Sequence, residues 1–141
     1  MEETIHHEYF KHTKKYISEY GAKTVVLMQV GAFFEVYGLK DAECNISGSC
    51  INEFSSICGL NVSEKTTFEF VDTVDKKKKV ILMAGFRDFM IDKYLSKLTE
   101  AGYTAAVFVQ EKQGKTVLRK LDHVYSPGTY ISCDTDSNNR L

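Results

Sequence analysis

An aromatic ring and a carboxylate stand two residues apart immediately after an apolar segment. The segment 25–37 is interrupted by Gly31, after which come Phe33, Phe34 and Glu35. Residues two apart in a strand project to the same side, so we expect Phe33 and Glu35 to point one way and Phe34 into the core. A phenyl ring can stack on a flat partner, and a carboxylate can accept hydrogen bonds. Without further context, both phenylalanines would more often be core residues and Glu35 a surface carboxylate.

Two further segments place this pattern in a wider context. Residues 81–110 contain a Met-Ala-Gly turn, a helix with Tyr-Leu-x-Lys-Leu, a glycine stop and a strand ending in Gln, and residues 125–129 are Tyr-Ser-Pro-Gly-Thr. Taken in order with Gly31 and Phe33-x-Glu35, these segments resemble the N-terminal domain of the MutS family of DNA mismatch-recognition proteins. Ala32 stands where the family pattern has Asp, and Ser126 replaces the first Thr of its closing Thr-Pro-Gly-Thr. The resemblance covers residues 8–131.

The resemblance implies a role for each of the two residues. A mispaired step stacks poorly, so kinking the duplex there costs less than at a matched step. Phe33 would be an apolar wedge inserted from the minor groove. Glu35 would hydrogen-bond the wedged base: an ionised carboxylate can accept from a thymine N3–H, whereas a purine N7 requires a protonated one. The negative charge of Glu35 would also penalise insertion into a normal duplex.

Other basic residues are candidate contacts to the phosphate backbone. Arg87 follows the Met-Ala-Gly turn and Lys65 precedes a predicted strand, so both are possible DNA-binding residues. The lysine run 76–79 falls where a hairpin turn is expected, and such a run is more often a solvated loop than a phosphate grip.

The resemblance also implies the partners and cofactors. The partner would be double-stranded DNA with mispaired or unpaired bases, together with the remaining MutS domains and a second MutS-like subunit. No cofactor is expected in this domain, and no enzyme activity. ATP and Mg are implied for the parent protein, whose ATPase would lie outside this chain.

Bulk properties are those of one intracellular globular domain. The chain has 141 residues with 43% hydrophobic and 26% charged residues, a size that allows one core. The net charge of −1 argues against tight DNA binding by this domain alone, because phosphate neutralisation supplies most non-specific affinity. The N-terminus has no secretory pattern, and no apolar stretch is long enough to span a membrane.

The pattern of elements predicts an α/β (α+β) fold in a single domain, with a mixed sheet of about six strands flanked by about three helices. Helices are predicted from Thr4 to Gly21, from 49 to 58 with a stop at Gly59, and from Asp88, as the N-cap, to Gly102. Strands are predicted at 24–30, 33–37, 66–74, 80–84, 103–110 and 116–125. The domain is expected to occupy 1–133, followed by a polar tail or linker at 134–141.

Neither the cysteines nor the N-terminal histidines have metal-ligand spacing. Without a Cys-x-x-Cys pair or a signal peptide, the cysteines are expected to be reduced thiols. They are Cys44, Cys50, Cys58 and Cys133. The histidines of the first helix are expected at the surface, and they are His6, His7 and His12.

Two alternative functions remain open from the sequence. One is a MutS-like structural or clamp module that no longer reads mismatches, which the Ala at position 32 and the acidic pI favour. The other is a restriction-type nuclease in which Asp72, Glu111 and Lys112 bind Mg²⁺ and activate water. A phosphate-binding loop is disfavoured, because the glycine required five residues before Gly114 is Val109.

Overall fold

The computed structural model describes residues 5–72 and 75–127, except for the side chains of 66–69. The helices are α1 (Ile5–Tyr20), α2 (Ile51–Cys58) and α3 (Ile91–Glu100), with a 3₁₀ turn at Asp88–Met90. The strands are β1 (Thr24–Val30), β2 (Phe33–Lys40), β3 (Ile46–Ser47), β4 (Ser63–Val71), β5 (Lys78–Arg87), β6 (Thr104–Gln113) and β7 (Thr116–Tyr125). The predicted cap Thr4, the predicted boundary at 133/134 and Cys133 lie outside the described residues.

The strands form one mixed sheet, which confirms the predicted fold class. Its order is β4-β5-β2-β1-β6-β7, with β3 paired to β2. Only β1 and β6 are parallel among these described pairs, and the others are antiparallel. The described residues contain seven strands rather than about six, and the additional one is the two-residue β3, which is too short to give a periodic signal.

Aromatic residues show how helices cover the two faces of the sheet. On one face, the Tyr9 hydroxyl of α1 donates to the Val26 carbonyl at 2.8 Å, and the Tyr9 ring packs 5.2 Å from the Tyr37 ring. On the other face, Phe34 contacts Phe86, which in turn lies 4.4 Å from Tyr94 of α3. Successive strand residues therefore serve two separate parts of the core, as alternation requires.

Several predicted element boundaries are wrong, among them that of β5, which covers Lys78–Arg87 rather than 80–84. The strand predicted at 66–74 is β4, which begins at Ser63 because 63–65 pair with β5 before a register shift between Lys65 and Phe70. Asp88 does not cap α3 with its side chain; it opens the 3₁₀ turn, and its backbone N–H donates to the Ala32 carbonyl at 2.8 Å. By contrast, Gly59 ends α2 in the left-handed conformation, as predicted.

The expectation of surface histidines on α1 is wrong for two of the three. His6 and His7 are 6% and 8% exposed. The His6 ring packs against Tyr37 with centroids 4.6 Å apart, and the His7 ring stacks 4.4 Å from Phe70. His6 precedes Tyr9 by three residues, so it shares the helix face that packs on the sheet.

Candidate nucleic-acid interface

The tight turn between β1 and β2 presents Phe33 at one end of the central strands of the sheet. Gly31 adopts a φ of +61°, a left-handed conformation that residues with a β-carbon rarely adopt. Phe33 then pairs with Val30 at the start of β2 and is 41% exposed, whereas Phe34 is 4% exposed. The sequence-based expectation that Phe34 enters the core is therefore confirmed, and Phe33 faces away from it.

Arg87 lies directly beside Phe33. The two residues are partners in the antiparallel pairing of β2 and β5, and the Arg87 guanidinium carbon is 5.3 Å from the centroid of the Phe33 ring. A guanidinium at this distance is attracted to the face of an aromatic ring. The structure thus brings together two of the four predicted DNA-binding residues, an exposed ring and a fixed positive charge.

Glu35 is a half-buried residue on the same side of β2 as Phe33. It pairs with Met28 on β1 and with Gly85 on β5. The Tyr37 hydroxyl donates a hydrogen bond to Glu35 Oε1. Within the described part of the chain, Glu35 Oε2 makes no hydrogen bond. One carboxylate oxygen is therefore held from within the fold, and the other is available.

Gly85 leaves the space that Glu35 occupies. A β-carbon at position 85 would lie 2.7 Å from the Phe34 carbonyl oxygen and 3.3 Å from Glu35 Cγ. The closer contact is with backbone, which cannot move aside without disturbing the pairing of β2 and β5. The prediction of a turn at Met-Ala-Gly is wrong, because these three residues lie within β5 and pair with β2. The glycine of this segment is instead a packing requirement of the site.

The turn is held in place by side chains from distant parts of the chain. Gln110 brackets the Gly31 peptide: its Oε1 accepts from the Gly31 N–H at 2.8 Å, and its Nε2 donates to the Gly31 carbonyl at 3.2 Å. Gln29 Oε1 accepts from the Gln110 N–H at 2.9 Å, and Arg119 Nε donates to the Gln29 carbonyl at 2.8 Å. These bonds fix the backbone from which Phe33 projects.

Four of these positioning residues were not predicted from the sequence, and they are Gln29, Tyr37, Gln110 and Arg119. Tyr37 and Arg119 carry no local signal that predicts their partners. For Gln110 the signal was present, since a strand ending in Gln is part of the family resemblance, but its contact with Gly31 depends on the parallel pairing of β1 and β6.

Lys65 lies away from the end of the sheet that carries Phe33 and Arg87. It pairs with Ile81 on β5, six positions from Arg87, a separation of roughly 20 Å along an extended strand. Lys65 is instead close enough to His6 that its charge contributes to lowering the pKa of that histidine. The structure therefore does not bring Lys65 together with Phe33, and its contact with DNA stays a prediction.

Some lysines of the run 76–79 are exposed to solvent, whereas another forms ion pairs within the fold. Lys76 and Lys77 are exposed, but Lys79 lies in β5 with its side chain only 8% exposed. Its ammonium group lies 2.8 Å from Asp72 Oδ2 and 2.9 Å from Asp75 Oδ2. Lys79 therefore closes the β4–β5 connection and is not available to a phosphate.

The residues of the nuclease alternative are not brought together. Asp72 pairs with Lys79 beyond β4, whereas Glu111 lies on β6 with its carboxylate 2.5 Å from Lys120. Four strand spacings separate β4 from β6, which amounts to roughly 19 Å. The described residues contain no group of three His, Cys, Asp or Glu side chains placed to bind a metal ion.

None of the helices in the described part of the chain is long and apolar enough to cross a membrane.

The fold and the site define a small α/β domain with an aromatic ring, a guanidinium and a carboxylate near one end of the paired strands β2 and β5. Residues 7–134 match the family model of MutS domain I, so the chain belongs to the MutS family of DNA mismatch repair.

Two curated relatives agree with this assignment. The chain is 33% identical over 132 residues to the putative DNA mismatch repair protein mutS homolog L359 of Acanthamoeba polyphaga mimivirus, covering 92% of the chain and 11% of the relative. It is 30% identical over 120 residues to the DNA mismatch repair protein MutS of Thermodesulfovibrio yellowstonii, covering 82% of the chain and 12% of the relative. The chain thus spans about a tenth of the length of either relative.

Proposed function

We propose that this domain recognises mispaired or unpaired bases in double-stranded DNA by inserting Phe33 as a wedge. The observation that carries the proposal is that Phe33 is 41% exposed at the start of the central strand β2, although its neighbour Phe34 is buried. A Phe ring replaces part of the stacking lost at a defective step and has no polar group that would need a partner.

Arg87 supports the wedge in two ways. Its guanidinium lies against the Phe33 ring and restricts the conformations open to it. Its remaining N–H groups can donate to phosphate oxygens beside the opened step, and such contacts fix the register of a protein on the duplex without reading sequence.

Glu35 reads the base that the wedge displaces. It lies two residues from Phe33 on the same side of β2, so its available oxygen faces the same groove. That oxygen can accept from the N–H of a mispaired base, while its charge disfavours entry into an intact duplex.

The rest of the binding energy comes from outside the domain. With a net charge of −1, the chain neutralises few phosphates, so other MutS domains and a second MutS-like subunit hold the backbone. We assign no catalytic step to this domain, and ATP hydrolysis with Mg belongs to the parent protein.

A second candidate is a structural or clamp module that no longer reads mismatches. It is favoured by Ala32, which occupies the turn position where the family pattern has Asp. In that case Phe33 would contact another protein domain, and its removal would not alter mismatch preference.

The test uses 2-aminopurine placed beside a mispaired base, because this analogue fluoresces more strongly when it is unstacked. The full-length protein should raise the fluorescence on mispaired duplex, and the Phe33→Ala variant should not. An equal rise with both proteins would refute Phe33 as the wedge, and no rise with either protein would favour the clamp module.

A further inference from the structure

Tyr37 is the third residue in line with Phe33 and Glu35 on β2, and it is held rigidly. It is 1% exposed. Its ring is packed edge-on against His6, with centroids 4.6 Å apart, and against Tyr9 at 5.2 Å. A side chain packed on two sides by aromatic rings has a fixed hydroxyl position.

The Tyr37 hydroxyl acts as the donor to Glu35. Burial raises the pKa of Tyr37 well above its ordinary range, and the hydrogen bond and charge of Glu35 raise it further, against the opposing charge of Arg119. The hydroxyl therefore keeps its proton, and its bond to Glu35 Oε1 runs from tyrosine to carboxylate.

We propose that Tyr37 determines which mispaired bases Glu35 can read, favouring bases that present an N–H over purines that present N7. A hydrogen bond donated to an ionised carboxylate is roughly twice as strong as one between neutral groups. Tyr37 therefore favours Glu35 as a charged acceptor over the protonated carboxyl that N7 requires. The preferred ligands are then a mispaired thymine through N3–H or a guanine through N1–H.

This inference rests on the proposed function, and its test is a substitution that removes one oxygen atom. Tyr37→Phe in the full-length protein deletes the hydroxyl and keeps the ring. Tyr9→Phe is the matched control, since Tyr9 is also buried and contacts the Tyr37 ring, but its hydroxyl donates to the Val26 carbonyl. Thermal unfolding shows whether both variants are folded.

The measurement compares four duplexes in two pairs, and each pair contrasts a natural base at the mispair with an analogue that lacks the group to be recognised. One carries thymine and a second carries difluorotoluene, which has the shape of thymine without N3–H. A third carries adenine and a fourth 7-deazaadenine, which lacks N7. The unmodified protein should prefer thymine over difluorotoluene and be indifferent to removal of N7.

Tyr37→Phe should reduce the preference for thymine over difluorotoluene by about tenfold, the value of one hydrogen bond to a charged group. The variant should also bind the adenine duplex more tightly than the 7-deazaadenine duplex, which lacks N7. Tyr9→Phe should leave both ratios unchanged, because a purely structural loss weakens binding to all four duplexes alike. Unchanged ratios in Tyr37→Phe, or equal changes in Tyr9→Phe, would overturn the inference. If Phe33→Ala abolishes mismatch preference while Tyr37→Phe keeps the ratios, only this inference fails; if Phe33→Ala preserves the preference, the proposed function itself fails.

Discussion

Phe33 and Arg87 face each other across β2 and β5, with the guanidinium carbon 5.3 Å from the ring centroid. One member of the pair comes from the Phe-x-Glu segment and the other follows the Met-Ala-Gly segment of β5. The pairing of β2 with β5 therefore brings two sequence motifs together at one end of the sheet.

Phe33→Ala in the full-length protein should remove most of the preference for mispaired over matched duplex. Loss of a stacking contact worth roughly 1–3 kcal/mol corresponds to about a tenfold to hundredfold loss in affinity for the mispaired duplex. Non-specific binding should be nearly unchanged, because the phosphate contacts lie elsewhere. Equilibrium titration of labelled duplexes with and without one mispair measures both quantities.

Phe34→Ala is the control for that substitution. Because Phe34 is 4% exposed and packs on Phe86, its truncation should lower the free energy of unfolding by roughly 3–5 kcal/mol. It should not selectively weaken binding to mispaired duplex. The opposite pattern, with Phe34→Ala folded and non-discriminating, would show that the assignment of the wedge is off by one residue.

Glu35→Gln should reduce the preference for mispaired duplex by raising the affinity for matched duplex. The substitution removes the charge that repels an intact duplex but keeps a hydrogen-bonding side chain. Affinity for matched DNA should therefore rise in the same titrations. Weaker binding to matched duplex would contradict a repulsive role for the carboxylate.

Gln110→Ala should loosen the turn without touching DNA. Removal of the two bonds to Gly31 should lower the free energy of unfolding by about 1 kcal/mol and speed hydrogen exchange at the Gly31 amide. The matched control is Gln113→Ala, since this side chain donates to Glu111 on the surface and its loss should be within about 0.5 kcal/mol of neutral. Unchanged exchange at Gly31 would refute the bracing role.

The stability of the domain should decline in mild acid because of His6. Burial, assisted by the charges of Lys65 and His7, lowers the pKa of His6 from 6.5 to about 4. The unfolded chain therefore binds a proton that the folded domain excludes, so this stabilisation is complete above about pH 6.5 and is lost as pH falls to about 4. Each pKa unit corresponds to about 1.4 kcal/mol, so the difference between 6.5 and about 4 sets an upper bound of roughly 3.5 kcal/mol, which solvent screening reduces.

Urea unfolding at several pH values between 4 and 7 measures this effect. His6→Leu should show a shallower loss of stability over that range than the unmodified domain. His123→Leu, at an exposed position on β7, is the control and should keep the original slope. Parallel slopes for all three proteins would exclude His6 as the cause.

The isolated domain should bind DNA weakly, and more weakly as salt rises. Its net charge of −1 provides few phosphate contacts, and those it makes are screened. Fluorescence anisotropy with the 141-residue chain at low and moderate salt decides this. Tight, salt-insensitive binding would mean that the domain needs no other part of the protein to hold the backbone.

What the sequence could predict depended on how local each feature is. The opposite orientations of Phe33 and Phe34 follow from strand alternation. The need for a glycine at position 31 follows from the turn that the backbone makes there. The bracing of Gly31 by Gln110 joins residues 79 positions apart and depends on which strands are neighbours. The burial of His6 likewise depends on how α1 lies across the sheet, which a short helical pattern with polar residues leaves open.

The close approach of Gly85 to the Phe34 carbonyl and Glu35 has a consequence for how such domains can be found and compared. The Phe-x-Glu tripeptide occurs by chance in many chains, whereas a glycine paired with that Glu across two strands is a joint steric condition. Related sequences with a larger residue at the position of Gly85 should therefore have lost the carboxylate or shifted its strand. A sequence that has both the Phe-x-Glu tripeptide and a glycine at the paired position would therefore be identified as a mismatch-reading domain more reliably than a sequence with either feature alone.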